Sequence, residues 1–375
     1  MYHNPSASTY THTPSPTSTP TSLITAFHAS LPSYAPTPLH SLPTLASTLS
    51  LSSLHLKDES SRLTLPAFKI LGASWAIQRA LCSRCALPLT TPLADLGLAA
   101  RKRGTRLVAC TEGNWGRAVA KMGGYLRVAT TVVVPAHMDA GTRERIAGEG
   151  AEVVVVEGDY DGAVEVARRE GGKENVLLVM DTSWEGYEEI PQWVVEGYTT
   201  LLAETTSQLS ALSLPPATHV IASVGVGSWA QAVVQHYKST PPPLSTSSST
   251  TAISPAPQIL TVEPLTAPSL HTSLLRSPQT LTPIRTTPTI MCGLNCGTVS
   301  HTAWPVLRDG VDAALTVSDA EVHRDVLYLQ SQGLDIGPCG AATLSAVRRV
   351  CGDAGMRERL GIGGESVVVV FGTEG

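Results

Sequence analysis

The sequence predicts an α/β protein in two lobes, each a mostly parallel twisted sheet flanked by helices. From about residue 53 onward, strand-like and helix-like segments alternate, and the strand-like ones, such as TVVV at 131–134 and SVVVVF at 366–371, are almost continuously apolar. A strand with one wet face alternates polar and apolar residues. Loss of that alternation marks parallel strands covered on both faces by crossover helices. At 375 residues the chain is long enough for two domains around sizeable cores.

Taken in order, residues 1–22 (MYHNPSASTYTHTPSPTSTPTS) are so rich in Ser, Thr and Pro that they are expected to be a disordered tail. A helix-like patch follows from Leu23, then the extended YAPTPL and a short helix in LHSLPTLASTLS. A strand at 53–57 leads through a polar turn to Phe68 and Lys69, after which apolar residues recur at helical spacing to about Cys85. A helix at 93–101 and a strand at 106–109 precede the glycine-punctuated turn TEGNWGR, which opens another helix. Strands at 130–134 and 153–156 alternate with helices at 139–148 and 161–170. The strand 176–180 ends at Asp181 and runs through a polar turn into one long helix. Further on come a strand at 219–223, the loop GVGS and a helix at 229–237. A strand at 259–263 lies between flexible Pro/Ser/Thr-rich loops at 238–258 and 277–288. The tail reads as a helix at 318–330, the turn GLDIGPCG, a helix at 341–350 and a last strand at 366–371.

Composition narrows the function. A net charge of -5, with no lysine and arginine run interleaved with aromatics, argues against nucleic-acid binding. No apolar run approaches the roughly 20 residues a bilayer crossing needs, and the N-terminus has neither the apolar core nor the basic residues of a targeting signal, so cytosol is expected. Seven scattered cysteines are expected to be reduced thiols. Cys82 with Cys85, and Cys292 with Cys296, lack the further ligands of a zinc site, so no metal is expected.

Several positions could carry chemistry. In the first turn of a helix, Lys69 meets the positive end of the helix dipole, which disfavours a second positive charge and suits an amine that must attack a carbonyl. Gly72 and Ala73 permit close approach of another backbone. The loop Gly225, Val226, Gly227, Ser228 sits between a strand and a helix, where converging N–H groups and the helix N-terminus suit a phosphate. Asn114 either donates to a ligand hydroxyl or caps its helix. Asp181, at the C-terminal edge of its strand, either handles a proton or caps the following helix through Thr182 and Ser183; Glu112 has the same two readings. Thr373 offers a neutral hydroxyl just beyond the last strand.

The wording of these segments resembles one family. KDESSR with AFKILG, TEGNWGR, DTSWEGYEEIP, GVGS, VEP, TIMCGLNCG with WPVLRD, and the closing TEG are similar to diaminopropionate ammonia-lyases, fold-type-II enzymes dependent on pyridoxal 5'-phosphate. The resemblance runs from about Ala26 to Gly375, and DTSWEGYEEIP is its most specific motif. It implies that Lys69 bonds the cofactor covalently with Phe68 beside it, that Asn114 meets the ring hydroxyl, that Gly225, Val226, Gly227 and Ser228 hold the phosphate, and that Thr373 faces the ring nitrogen. Asp181 and Glu112 become acid–base residues. It also implies a large cofactor domain at 23–65 and 191–375, a small mobile domain at 66–190, a homodimer, a small amino-acid substrate, and elimination of 2,3-diaminopropionate to pyruvate and ammonia. A serine or threonine dehydratase, or a cofactor-binding protein with little turnover, are the alternatives. The chain departs from the family at Glu112 (usually Asp), Trp115 (usually His), Gly372 (usually Ser), and Pro338 and Cys339 (usually Glu and Ser).

Overall fold

Two sheets organise the computed structural model, which describes residues 1–111, 113–158, 160–239, 256–276 and 280–375. In chain order the strands are β1 (Tyr2–His3), β2 (Leu39–Ser41), β3 (Ser53–Asp58), β4 (Arg106–Cys110), β5 (Thr130–Pro135), β6 (Glu152–Val156), β7 (Val176–Leu178), β8 (His219–Ser223), β9 (Gln258–Pro264), β10 (Ala313–Val317) and β11 (Val367–Gly372).

One compact unit comprises Thr19–Ala35 and Ser61–Thr200 and holds the sheet β6-β5-β4-β7, parallel throughout. Its valine run is explained by two covered faces. Val133 packs with Val108, Ala163, Ala167 and Met180, whereas its neighbours Val132 and Val134 join Ala120, Met138 and Ile146. Successive side chains of a strand point to opposite faces, so both faces must be apolar.

The other unit comprises Met1–Ser18, Pro36–Ser60 and Leu201–Gly375, with sheet order β1-β10-β9-β8-β11-β3-β2. Its inner pairs are parallel and only the edge strands β1 and β2 pair antiparallel. Val368 and Val370 pack with Leu54, Leu56, Ile221 and Leu344, and the intervening Val367 and Val369 are also buried. The VEP segment ends β9: burial pushes the Glu263 carboxyl up to about 7, while it accepts from the backbone N–H groups of Leu270 and His271 and from Ser269 Oγ. That carboxylate thereby caps the helix Ser269–Arg276.

The structure draws the unit boundaries elsewhere than at 66 and 190. The helix Glu189–Gly197 and the helix Thr21–Ala29 belong with the helix Lys69–Cys85. Glycine explains the first attachment: a Cβ on Gly72 would lie 2.7 Å from Tyr198 Cε1 and Val194 Cγ1, and one on Gly197 would lie 2.5 Å from the Leu71 carbonyl oxygen. The close approach expected at Gly72 is present. His28 makes the second attachment, bonding Thr200 Oγ1 at 2.7 Å and the Leu71 carbonyl at 2.9 Å. Because the obstruction at Gly197 is backbone, Gly197→Ala is expected to cost about 1–3 kcal/mol through overpacking. Thermal denaturation measures this, and an unchanged Tm would contradict the packing argument.

Other differences from the sequence reading have local causes. Residues 1–22 carry structure despite their composition, because a few side chains and backbone groups dock. Tyr2 and His3 pair with Ala314 and Ala313, Asn4 N–H donates to the Asp312 carbonyl at 2.8 Å, and Lys238 Nζ donates to the carbonyl of fully buried Ala7 at 2.7 Å. The long helix expected after Asp181 is two, Glu189–Gly197 and Thr199–Ala211. The GLDIGPCG turn already contains the start of the helix Pro338–Gly352, with Pro338 at a position whose N–H needs no partner. Two further elements that local pattern does not announce are β10 and the helix Ala354–Leu360. Of the two loops expected to be flexible, 240–255 and 277–279 lie outside the described residues.

Candidate active site

Lys69 is the first residue of its helix, as its sequence position implied, and Phe68 stands at the N-cap position without a side-chain capping bond. Its side chain is about a quarter exposed, and Nζ lies 2.8 Å from Asp181 Oδ2. The helix dipole opposes the ammonium, and the carboxylate opposite it acts in the other sense. Only the folded chain brings these residues together, for they stand 112 positions apart. Phe68 packs against Tyr198, ring centroids 4.8 Å apart.

Asp181 is buried at 5% exposure, three residues past the end of β7. The open choice between a proton-handling carboxylate and a helix cap is decided in part: the next helix starts at Glu189 with Glu188 as N-cap, so Asp181 does not cap it. Asn114 begins the helix Asn114–Leu126, and Gly113 rather than Asn114 is the N-cap. Within TEGNWGR the glycine with a steric reason is Gly116, where a Cβ would stand 2.3 Å from Thr111 Cγ2 and 2.9 Å from Val132 Cγ1. Trp115 is buried and donates Nε1–H to the Val179 carbonyl at 3.0 Å. Glu112 lies outside the described residues.

In the other unit, Gly225, Val226, Gly227 and Ser228 link β8 to the helix Ser228–Tyr237. Gly227 has φ +93°, a conformation L side chains rarely adopt, and a Cβ on Gly225 would lie 2.7 Å from the Gly293 carbonyl. The loop is held through its carbonyls, since Val226 O accepts from Ser300 N–H and Gly227 O from Gln231 N–H, both at 2.8 Å. Among the described residues the N–H groups of Gly225, Val226 and Gly227 donate to no acceptor, and they sit at the positive end of a helix. That is a cradle for an anion such as a phosphate.

Thr373 follows β11 and is buried, yet its hydroxyl makes no hydrogen bond among the described residues. Beyond it, the Glu374 backbone carbonyl accepts from Gly337 N–H at 2.8 Å and its side-chain Oε1 accepts from Cys339 N–H at 3.2 Å. Burial first, and the Glu374 carboxylate second, push the Cys339 thiol well above its usual range, so it remains a neutral thiol. An amine, an anion cradle and an uncommitted hydroxyl are the donor set a phosphorylated pyridine aldehyde needs, and in that sense the residues fit pyridoxal phosphate.

A family model described as pyridoxal-phosphate dependent enzyme matches residues 31–372. The chain belongs to this family. A curated diaminopropionate ammonia-lyase of Salmonella typhimurium is 35% identical over 303 residues, covering 79% of this chain and 72% of the relative. The Escherichia coli enzyme of the same name is 29% identical over 357 residues, covering 93% and 86%. A crystal structure of the Escherichia coli enzyme in complex with D-serine has a TM-score of 0.86 at 27% identity, covering all of this chain and 93% of that one. A second, in complex with an aminoacrylate-PLP azomethine reaction intermediate, has a TM-score of 0.80. A threonine deaminase from Solanum lycopersicum, at 17% identity and a TM-score of 0.72, shares the fold. The expected fold class and cofactor are borne out: this is the two-sheet α/β fold of the pyridoxal-phosphate dependent enzymes.

Proposed function

We propose that this chain is a pyridoxal-phosphate dependent carbon–nitrogen lyase that converts 2,3-diaminopropionate and water to pyruvate and two ammonia. The observation that carries the reading is the approach of Lys69 Nζ to Asp181 Oδ2, a lysine from AFKILG against the carboxylate of DTSWEGYEEIP. Relatives bearing the diaminopropionate ammonia-lyase name support the substrate.

In this reading Lys69 holds the cofactor covalently, with Phe68 and Asn114 beside it. The N–H groups of Gly225, Val226 and Gly227, with Ser228 at the start of its helix, hold the phosphate, and Thr373 meets the ring nitrogen. When bound, the cofactor supplies an electron sink for the charge left on the α carbon. Thr373 is a neutral hydroxyl and does not protonate the ring as a carboxylate would, which favours elimination at the β carbon. Asp181 takes the α proton of the L isomer, and Glu112 serves the other face. Its extra methylene displaces the carboxyl by about one C–C bond, enough to impair proton transfer there. We place the enzyme in the cytosol as a homodimer. Seven cysteines with no disulfide among the described residues support a reducing compartment, and exposed Leu265, Leu275 and Ile290 support self-association.

Pyruvate release measured side by side with L- and D-diaminopropionate, serine and threonine tests the reaction. Turnover of serine or threonine above diaminopropionate would make the chain a dehydratase, and no turnover at all would leave it a cofactor-binding protein. The phosphate assignment has its own test. Gly227→Asp adds a negative charge at the cradle and a side chain at positive φ, and is expected to weaken pyridoxal phosphate retention on the order of tenfold or more. Equilibrium dialysis reads this, and unchanged affinity would move the phosphate elsewhere.

A further inference from the structure

The ladder of β7 on β4 stops where Leu178 pairs with Val108, yet the chain stays gripped for two residues more. Tyr187 Oη donates to the Leu178 carbonyl at 2.8 Å and accepts from Met180 N–H at 3.1 Å. Trp115 Nε1–H donates to the Val179 carbonyl at 3.0 Å, and Val179 N–H donates to the Val108 carbonyl at 2.8 Å. Tyr187 is itself fixed: its ring stacks on Trp184 with centroids 4.4 Å apart and planes 15° apart, and the Arg168 guanidinium covers Trp184 at 4.7 Å. The next residue after this gripped segment is Asp181.

We propose that Trp115 and Tyr187 are positioning residues that clamp the Leu178–Met180 backbone and so set where the Asp181 carboxylate stands relative to Lys69. The inference rests on the reading of Asp181 as the residue that takes the substrate proton. It gives a role to the two aromatics of DTSWEGYEEIP and explains how a tryptophan is used at 115: an indole N–H only donates, and the Val179 carbonyl only accepts. Burial holds the Tyr187 phenol well above its usual range, so the clamp stays un-ionised into the alkaline range. Proton transfer depends steeply on distance, and a misplacement of about 1 Å costs on the order of a hundredfold.

The test uses the full-chain holoenzyme with L-2,3-diaminopropionate, comparing Tyr187→Phe, Trp115→Phe, Asp181→Asn and, as a control that only loosens the core of the same unit, Ile146→Val. Tyr187→Phe and Trp115→Phe are each expected to lower kcat by about ten- to a hundredfold with little change in KM or cofactor content. Hydrogen exchange at Val179 to Asp181 is expected to rise in both. Ile146→Val is expected to lose stability with kcat unchanged. If Asp181→Asn loses activity while both aromatic variants keep the parent kcat, the clamp is overturned and the reading of Asp181 stands. If Asp181→Asn keeps the parent kcat, that reading fails and takes the clamp with it. Should Tyr187→Phe not fold, Trp115→Phe decides by the same criterion.

Discussion

Lys69→Ala is expected to fold and to carry no covalently bound pyridoxal phosphate. Lys69 is partly exposed and begins its helix, so alanine there preserves the helix. The cost lies in Asp181, whose buried carboxylate loses an opposite charge at 2.8 Å; about 1–3 kcal/mol is expected, within what a domain can lose and stay folded. Borohydride reduction of the parent protein followed by peptide mapping should place the adduct on Lys69, and the variant should yield none. The visible absorption band of the bound cofactor should vanish with it. An adduct on another lysine of the parent protein would refute the assignment.

Asp181→Asn is expected to keep its cofactor and to turn over L-diaminopropionate about 10²–10⁴-fold more slowly, the usual contribution of positioned proton transfer. Asparagine is nearly isosteric with aspartate, so the local packing survives while the group that takes a proton is lost. The parent enzyme is expected to prefer the L isomer, because the carboxylate assigned to the other face is the lengthened Glu112. Glu112→Asp should then raise turnover of the D isomer. Equal rates on both isomers in the parent enzyme, or a normal L rate in Asp181→Asn, would refute this division of labour.

What the sequence by itself determined is what local pattern dictates. The valine runs of β5 and β11 required sheets covered on both faces, and helical spacing after Phe68 put Lys69 in a first turn, where it stands. GVGS read as a strand-to-helix loop, and it is one, because a glycine at positive φ and a helix N-terminus are local features. Tertiary structure decided everything that depends on partners far apart in sequence. The Lys69–Asp181 pair spans 112 residues, the Trp115 bond to Val179 spans 64, and no spacing rule in a single sequence encodes either. The unit boundary followed the same logic: Gly197 places its helix against Leu71 and Gly72 through the absence of a side chain, which composition does not reveal. Residues 1–22 defeated a compositional reading because Tyr2, Asn4 and Ala7 suffice to dock them when a sheet edge and a buried Lys238 are waiting elsewhere in the fold.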